Sequence, residues 1–519
     1  MPDAGPVAPS TVASTALAWS GRTADECALV DALRPGLSSL LARIDARVID
    51  RAHHIDPSVL RALAELGMFG LTIPESWGGA GLSLHGTCSL VALVAERDRA
   101  VATTLGLHLG LGTRGLVTFG AAPVQERWLP GLALGEKIAA FATTEPGAGS
   151  DLAAIASTAM PDGATGTGWI LNGSKIYVTN GGFADVITVT AATPGAGGAR
   201  RGHSLLVLDR NDPGVRVGPE EDKLGLRGSS TTSLYFDNVT LGADRFVGTP
   251  GDGMAHLQHV LAWGRTLMAG GCVGTARAAT RAAAMYTSSR RQFGRALVAF
   301  EVVREQLASM KALEFAMEAI VRTTAEADAQ GDRALLASRS TSAKVFCSES
   351  AWQVADLSVQ LHGGAGFIEE VGVALMLRDS RITRIFEGAN DVLCVHLGLL
   401  ESGGGHPRAA LTGLAGDLGA QADTLHARLC DMRARTAERL GVRFVQHQRL
   451  VHRLGTLAML RDVSDAVALR AHAEGTALAR STAALWMSMA FARVRSLEGA
   501  PVDRPVIDDI VAPLLEGVA

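Results

Sequence analysis

The chain has 519 residues, 47% of them hydrophobic, and a formal net charge of −4. That is enough apolar material for a large core and three or four domains, and the absence of a global basic field argues against nucleic acid as a partner. The six cysteines (Cys27, Cys88, Cys272, Cys347, Cys394, Cys430) are scattered, with no CxxC pair and no Cys/His cluster, so free thiols in a reducing compartment are expected and no metal site.

Residues 1–23 are rich in Ala, Pro and Ser. They lack the basic-then-apolar order of a secretory leader and the arginines of a transit peptide, and read as a flexible tail. No uncharged apolar run reaches the ~20 residues that a membrane span needs, so a soluble, cytoplasmic protein is expected. Residues 24–140 show helical periodicity. ECALVDALRPGLSSLLARIDARVID repeats apolar residues every three or four positions, and DPSVLRALAELGMFG opens with a capping Asp56 and a proline and closes on glycine. A third helical stretch, LHGTCSLVALVAERDRAVATTLGLHLGLGTRGLV, is long and apolar.

Residues 141–250 change character. WILNGSKIYVTNGG, DVITVTAA, HSLLVLD and TSLYFDNVTL are short, β-branched and aromatic, and Gly/Asn/Asp turns separate them; ATPGAGGARRG reads as a mobile loop. Residues 251–400 are helical again, 401–409 (ESGGGHPRA) read as a linker, and 410–519 as a further helical region. The expected class is α+β: an N-terminal helical domain, a middle β-barrel-like domain, a C-terminal helical bundle and an extra C-terminal helical region.

Four short stretches carry possible chemistry. FATTEPGAGSD (141–151) is either an ordinary connecting loop or a turn that offers N–H groups and hydroxyls to something polar; it is neither GxGxxG nor a Walker loop. In KIYVTNGG (175–182), Tyr177 and Thr179 are expected on one face of a strand, where an aromatic beside a hydroxyl suits a flat heterocycle; a plain edge strand is the alternative. SRRQFG (289–294) pairs arginines with an aromatic, which suits a phosphate, a subunit contact or a solvated helix end. In QLHGGAGF (360–367), His362 has no second ligand one helical turn away, and the glycine pair allows close approach of backbone to a ligand.

Taken in order, FATTEPGAGSD, KIYVTNGG, GLRGSSTTSLYFDNV, SRRQFG, QLHGGAGF and RDSRITRIFEGAND resemble the ordered signature of the acyl-CoA dehydrogenase family over roughly residues 25–400. The resemblance is greatest to its very-long-chain type. It implies FAD bound between the middle and C-terminal domains. Phe141, Thr143 and Thr144 would line the flavin ring, Tyr177 would stack near it, and Thr179 would hydrogen-bond near its reactive nitrogen. Arg290, Phe293, Gln360, Gly363 and Gly364 would reach the adenosine diphosphate of a neighbouring subunit's FAD. Ser150 and Arg265 would contact the pantetheine and nucleotide parts of an acyl-CoA.

Glu387 matches the family's catalytic base, which takes the α-proton of the thioester while the β-hydrogen leaves as hydride. The base's own N–H and a flavin ribityl hydroxyl would stabilise the enolate. Burial against Ile385 and Phe386 is expected to raise the carboxyl pKa, and Gly388 to let the chain pass close to substrate. Some branches carry the base directly before the residue matching Arg265; here that residue is Gly264. Two further departures are Ala389, where the family usually has Thr, and Ala262, where some relatives carry an acid.

The implied partners are a medium-to-long-chain acyl-CoA, as in fatty-acid β-oxidation, and an electron-transfer flavoprotein. An acyl-carrier protein, an oxidase reaction and a non-catalytic scaffold are the alternatives. A homodimer is expected, with a tetramer as the alternative. Gly106, Gly110, Gly112 and Gly115 read either as a deepened acyl slot or as helix packing. Arg433, Arg435, Arg439, Arg443, Arg449 and Arg453 read as a solvated helix face, or as a contact with anionic lipid or a second subunit.

Overall fold

The computed structural model describes residues 22–163, 168–194, 202–403, 408, 417–440 and 446–498. The expected N-terminal tail up to residue 21, the centre of the 192–202 loop and most of the expected linker lie outside these.

The N-terminal helices begin where the sequence places caps. Thr23 caps the helix Ala24–Ala42, and Asp45 caps Ala46–Ala52. Asp56 accepts the Ser58 N–H at 2.8 Å at the start of Pro57–Glu65. The long apolar segment is not one helix. Asp98, extended at φ −150, ends the helix Leu84–Arg97 and caps Arg99–Leu107 by accepting the Val101 N–H at 2.7 Å. A π-turn, His108–Gly112, then leads into Thr113–Phe119. His108 Nδ1 accepts the Ala139 N–H at 3.1 Å, which fixes this turn to the start of the sheet.

The middle region is one sheet: β1 (Ala139–Ala142), β2 (Thr158–Pro161), β3 (Trp169–Thr179), β4 (Val186–Thr193), β5 (Gly202–Asp209), β6 (Val215–Glu220), β7 (Thr231–Leu241) and β8 (Phe246–Val247). The order is β6-β7-β3-β2-β4-β5-β8, and β1 pairs in parallel with β4. Strands β1, β4 and β5 alternate between two cores. Phe141, Val186, Leu205 and Val207 meet Trp128, Leu129 and Val260 of the flanking helices. Ala140, Ile187, Val189 and Leu206 meet Leu234 and Phe236 of β7, so the sheet curls over a core of its own.

The C-terminal helices Gly253–Ser289, Glu301–Ala329, Arg333–His362, Val373–Arg381 and Asn390–Ser402 share a core with the N-terminal ones. Asn390–Ser402 runs into the stretch read as a linker: Glu401 is helical and buried, with Arg461 Nη1 2.9 Å from its carboxylate. Three more helices, Asp417–Leu440, Gln448–Glu474 and Ala477–Glu498, pack onto the same core. Gly398 and Gly455 make one of these crossings possible, because a Cβ at either would collide with the other helix's backbone. In the arginine row, Arg433 lies 3.9 Å from Glu401 and Arg435 2.7 Å from Asp431. The Arg439 side chain and Arg443 lie outside the described residues.

Candidate active site

Glu387 sits in the turn between the 3₁₀ segment Ile382–Arg384 and the helix Asn390–Ser402. It is left-handed at φ 55, and Gly388 follows at φ 102. For a glutamate that backbone costs about 1–2 kcal/mol, so the surroundings must hold it. Arg265 Nε donates to the Glu387 carbonyl at 3.1 Å, and Lys344 Nζ to the Gly388 carbonyl at 2.7 Å. Lys344 also reaches Asn390 Oδ1 at 2.7 Å, while the Asn390 amide donates to Glu349 at 2.7 Å. Two buried cations thus pin consecutive carbonyls of the turn.

The carboxyl group points inward. Its Oε2 is buried with no hydrogen-bond partner among the described residues. A Cβ at Gly264 would lie 3.1 Å from it, so the residue before Arg265 faces the same point as the carboxyl group. Burial pushes the Glu387 pKa up to about 7, against the opposing pull of Arg265, Lys344 and Arg99. Burial likewise pushes Lys344 down to about 8. The burial does not come from Ile385, as expected from sequence: that residue is 50% exposed. It comes from the helix Gly253–Ser289 and from Leu111, which the missing Gly264 side chain lets close in.

Across a cavity of about 320 Å³ stand Phe141, Thr143 and Thr144 at the end of β1, Tyr177 and Thr179 at the end of β3, and Ser150. Glu387, Gly388 and Arg265 line the same cavity. Two contacts align the strand ends: the Ile176 N–H donates to the Thr144 carbonyl at 2.9 Å, and Lys175 Nζ to the Thr143 carbonyl at 3.1 Å. The Thr143 hydroxyl pairs with that of Thr190 at 2.7 Å. Simple alternation does not place Tyr177. The β3–β7 register shifts between Lys175 and Val178, and Tyr177 is left-handed at φ 57 and 64% exposed. At this irregular point of the strand Tyr177 lines the cavity.

The remaining expected residues lie elsewhere. Arg290, Phe293, Gln360, Gly363 and Gly364 are exposed and line no part of this cavity. Tyr286 stacks on His362 with ring centroids 4.4 Å apart, which joins the end of the helix Gly253–Ser289 to the end of Arg333–His362. The five therefore gather at one end of the bundle, and Phe293 is 91% exposed there.

Arg265 is buried, and its guanidinium holds the Glu387 carbonyl and the Thr341 hydroxyl (3.3 Å) while lining the cavity. Of the four glycines, only Gly106 lines the cavity. A Cβ at Gly110 would press on Leu267 (2.9 Å), one at Gly112 on Ala139 (2.6 Å), and one at Gly115 would touch Val247 (3.6 Å), so these three serve helix packing.

Sequence reasoning missed Lys344 and Arg99. Nothing local marks Lys344: in STSAKVFCSES it shares helical spacing with Thr341 and Ser348, which reads as an ordinary polar face.

The residues lining this cavity suit a flat heterocycle. One wall has an aromatic edge, hydroxyls and a strained, outward-turned tyrosine; the other has an orphaned carboxyl oxygen that needs a reaction partner in the gap. Comparison with known proteins agrees with this architecture. Residues 23–136, 140–239 and 251–398 match the acyl-CoA dehydrogenase N-terminal, middle and C-terminal domains. A mouse very long-chain specific acyl-CoA dehydrogenase is 39% identical over 354 residues, 67% of this chain. The match spans about half (54%) of that protein's length. A Bacillus subtilis acyl-CoA dehydrogenase is 33% identical over 67% of this chain and 90% of its own. The crystal structure of a Bacillus anthracis acyl-CoA dehydrogenase complexed with FAD superposes with a TM-score of 0.78 at 26% identity, covering 92% of this chain and 88% of that one. The glutamate-bearing turn and the sheet edge facing it thus stand within a three-domain match: the chain belongs to the acyl-CoA dehydrogenase family.

Proposed function

We propose that this chain is an FAD-dependent dehydrogenase that converts an acyl thioester to the trans-2-enoyl thioester. The observation that carries this reading is the buried, unpartnered carboxyl oxygen of Glu387 facing the Phe141, Thr143, Thr144, Tyr177 and Thr179 wall across one cavity. FAD bound against that wall would supply the two-electron acceptor for the β-hydrogen. Glu387 takes the α-proton at its free Oε2. As the C–H electrons move toward the carbonyl, negative charge develops on the thioester oxygen. Among the described residues the Glu387 backbone N–H forms no hydrogen bond, which leaves it available to that charge. Arg265 and Lys344 keep the turn in place while this happens, and their charge holds the carboxyl pKa below what burial alone would give.

Anaerobic titration of the yellow protein with a panel of thioesters tests the reading. Bleaching of the flavin by saturated thioesters is expected; a flavin that stays oxidised with every one of them would overturn it. One observation favours a second delivery route. Ala262 stands where some relatives carry an acid that helps place the CoA, so an acyl group on a carrier protein competes with acyl-CoA as substrate. Matched acyl-CoA and acyl-carrier substrates separate the two.

Electrons then pass to an electron-transfer flavoprotein. The exposed Phe293, with Phe367 (83%) and Ile368 (50%) exposed after the glycine pair, supports a homodimer in which Arg290, Phe293, Gln360, Gly363 and Gly364 complete the partner subunit's cofactor site. The described cysteines are all free, in keeping with a reducing, cytoplasmic setting. No described helix is long and apolar enough to cross a membrane.

A further inference from the structure

Three buried cations exert their charge on Glu387: Arg99, Arg265 and Lys344. Two are accounted for, since they hold the carbonyls of residues 387 and 388. Arg99 holds no part of that turn. It is the first residue of the helix Arg99–Leu107, where a cation opposes the helix dipole, so it is not there for the helix's benefit. Its neighbour Asp98 is turned away to cap the same helix at the Val101 N–H. Among the described residues Arg99 forms no ion pair. Its Nη2 donates to the Met268 carbonyl at 3.2 Å and touches the Cys272 sulfur at 3.6 Å, a thiol that burial keeps protonated.

Space has been cleared for this side chain. A Cβ at Gly271 would collide with Nη1. The residue is only 6% exposed, and it lines the substrate cavity among Val91, Ala102, Leu267 and Met268. A guanidinium among apolar walls carries a desolvation cost of several kcal/mol unless an anion joins it. Val91, Ala102, Leu267 and Met268 are apolar and line the same cavity as Glu387, so the surroundings of Arg99 suit an acyl group.

We infer that Arg99 is a specificity-determining residue that pairs with a carboxylate at the far end of the acyl group, so that the substrate class is an ω-carboxyacyl thioester. This rests on the dehydrogenase reading above. The carboxylate takes no part in the chemistry: the α-proton still goes to Glu387 and the β-hydrogen still leaves as hydride. The fork of the guanidinium accepts two carboxylate oxygens, which orients the chain as well as binding it.

The test uses the holoenzyme with pairs of CoA thioesters of equal carbon count, one ending in a methyl group and one in a carboxylate. Non-oxidisable thioether analogues of the same pairs are used for calorimetry. The wild type is expected to favour the carboxyacyl member on the order of 10²-fold in both kcat/KM and affinity. In R99M the ratio inverts, because a buried anion then has no partner and a methyl end packs on the new thioether. R99K keeps part of the preference. A wild type that binds and oxidises the methyl-ended member as well or better overturns the inference, and so does an R99M variant that weakens both members equally, which would mark Arg99 as a tie to Met268 only. Should R99M fail to fold, the wild-type pairs decide alone. Bleaching by methyl-ended thioesters without a carboxylate preference sinks this inference and leaves the dehydrogenase intact; no bleaching by either sinks both.

Discussion

The helix Arg333–His362 separates two clusters of buried charge that are built on opposite rules. Ser342 turns to one side and donates to Asp462 at 2.7 Å; Lys344, two residues on, turns to the other and meets Gly388 and Asn390. On the Ser342 side, charges are matched. Arg461 bonds Glu401 at 2.9 Å and Asp462 at 2.8 Å, and Arg408 spans Asp465 at 2.9 Å and Asp423 at 3.0 Å. On the Lys344 side they are not. Arg265 and Lys344 donate to backbone carbonyls, Arg99 has no acid, and Glu387 keeps a carboxyl oxygen without a partner. Matched charge costs desolvation once and then holds helices in place, whereas an unpartnered buried acid persists only where a ligand or a proton uses it. The difference separates the part of this molecule that holds its C-terminal helices from the part that reacts.

Substitutions in the two clusters should therefore fail in different ways. The largest effect is expected for Glu387→Gln, with turnover falling on the order of 10²–10⁴-fold while flavin binding persists; near-normal turnover would remove the base assignment. Next, Arg461→Met removes the buried cation that Glu401 and Asp462 share and should cost about 3–5 kcal/mol in denaturant unfolding, with kcat per folded molecule unchanged. A loss of kcat at full stability would break the contrast between the clusters.

Smaller is the stability change from Glu387→Gln itself. The folded carboxyl titrates near 7 and the unfolded one near 4.5, so the wild-type fold binds the extra proton between these values and loses stability as pH rises through them. The glutamine variant should thus be more stable than wild type by on the order of 3 kcal/mol at about pH 8, and no more stable at about pH 4. Thermal melts at both values would show it; an equal gain at both would point to packing and not to charge. Smallest is Arg435→Ala, which removes an exposed pair with Asp431 and should change stability by about 0.5 kcal/mol or less.

Much of this was legible in the sequence, and the exceptions have physical causes. Strands β3, β4, β5 and β7 announce themselves through β-branched and aromatic runs between turn residues. Strands β1, β2, β6 and β8 are two to six residues long, too short for a period to emerge. Glu387 and the threonine wall could be placed because six motifs recur in one order. The cations could not, because their meaning is long-range: Lys344 meets a carbonyl 44 residues on, and Arg99 one 169 residues on. Gly271 makes room for Arg99 only once two helices are packed. The hold of Arg265 on the Glu387 carbonyl was not legible either, since sequence shows that an arginine is present and not which oxygen it faces.

The central claim is that Glu387 is a base tuned by burial. The most direct test is the rate of flavin reduction by a good thioester, measured anaerobically by stopped flow across pH. The rate should climb with pH to a plateau, with a midpoint near 7, as the carboxylate forms. A midpoint near the ordinary value of 4.5, or a rate indifferent to pH across that range, would contradict the account.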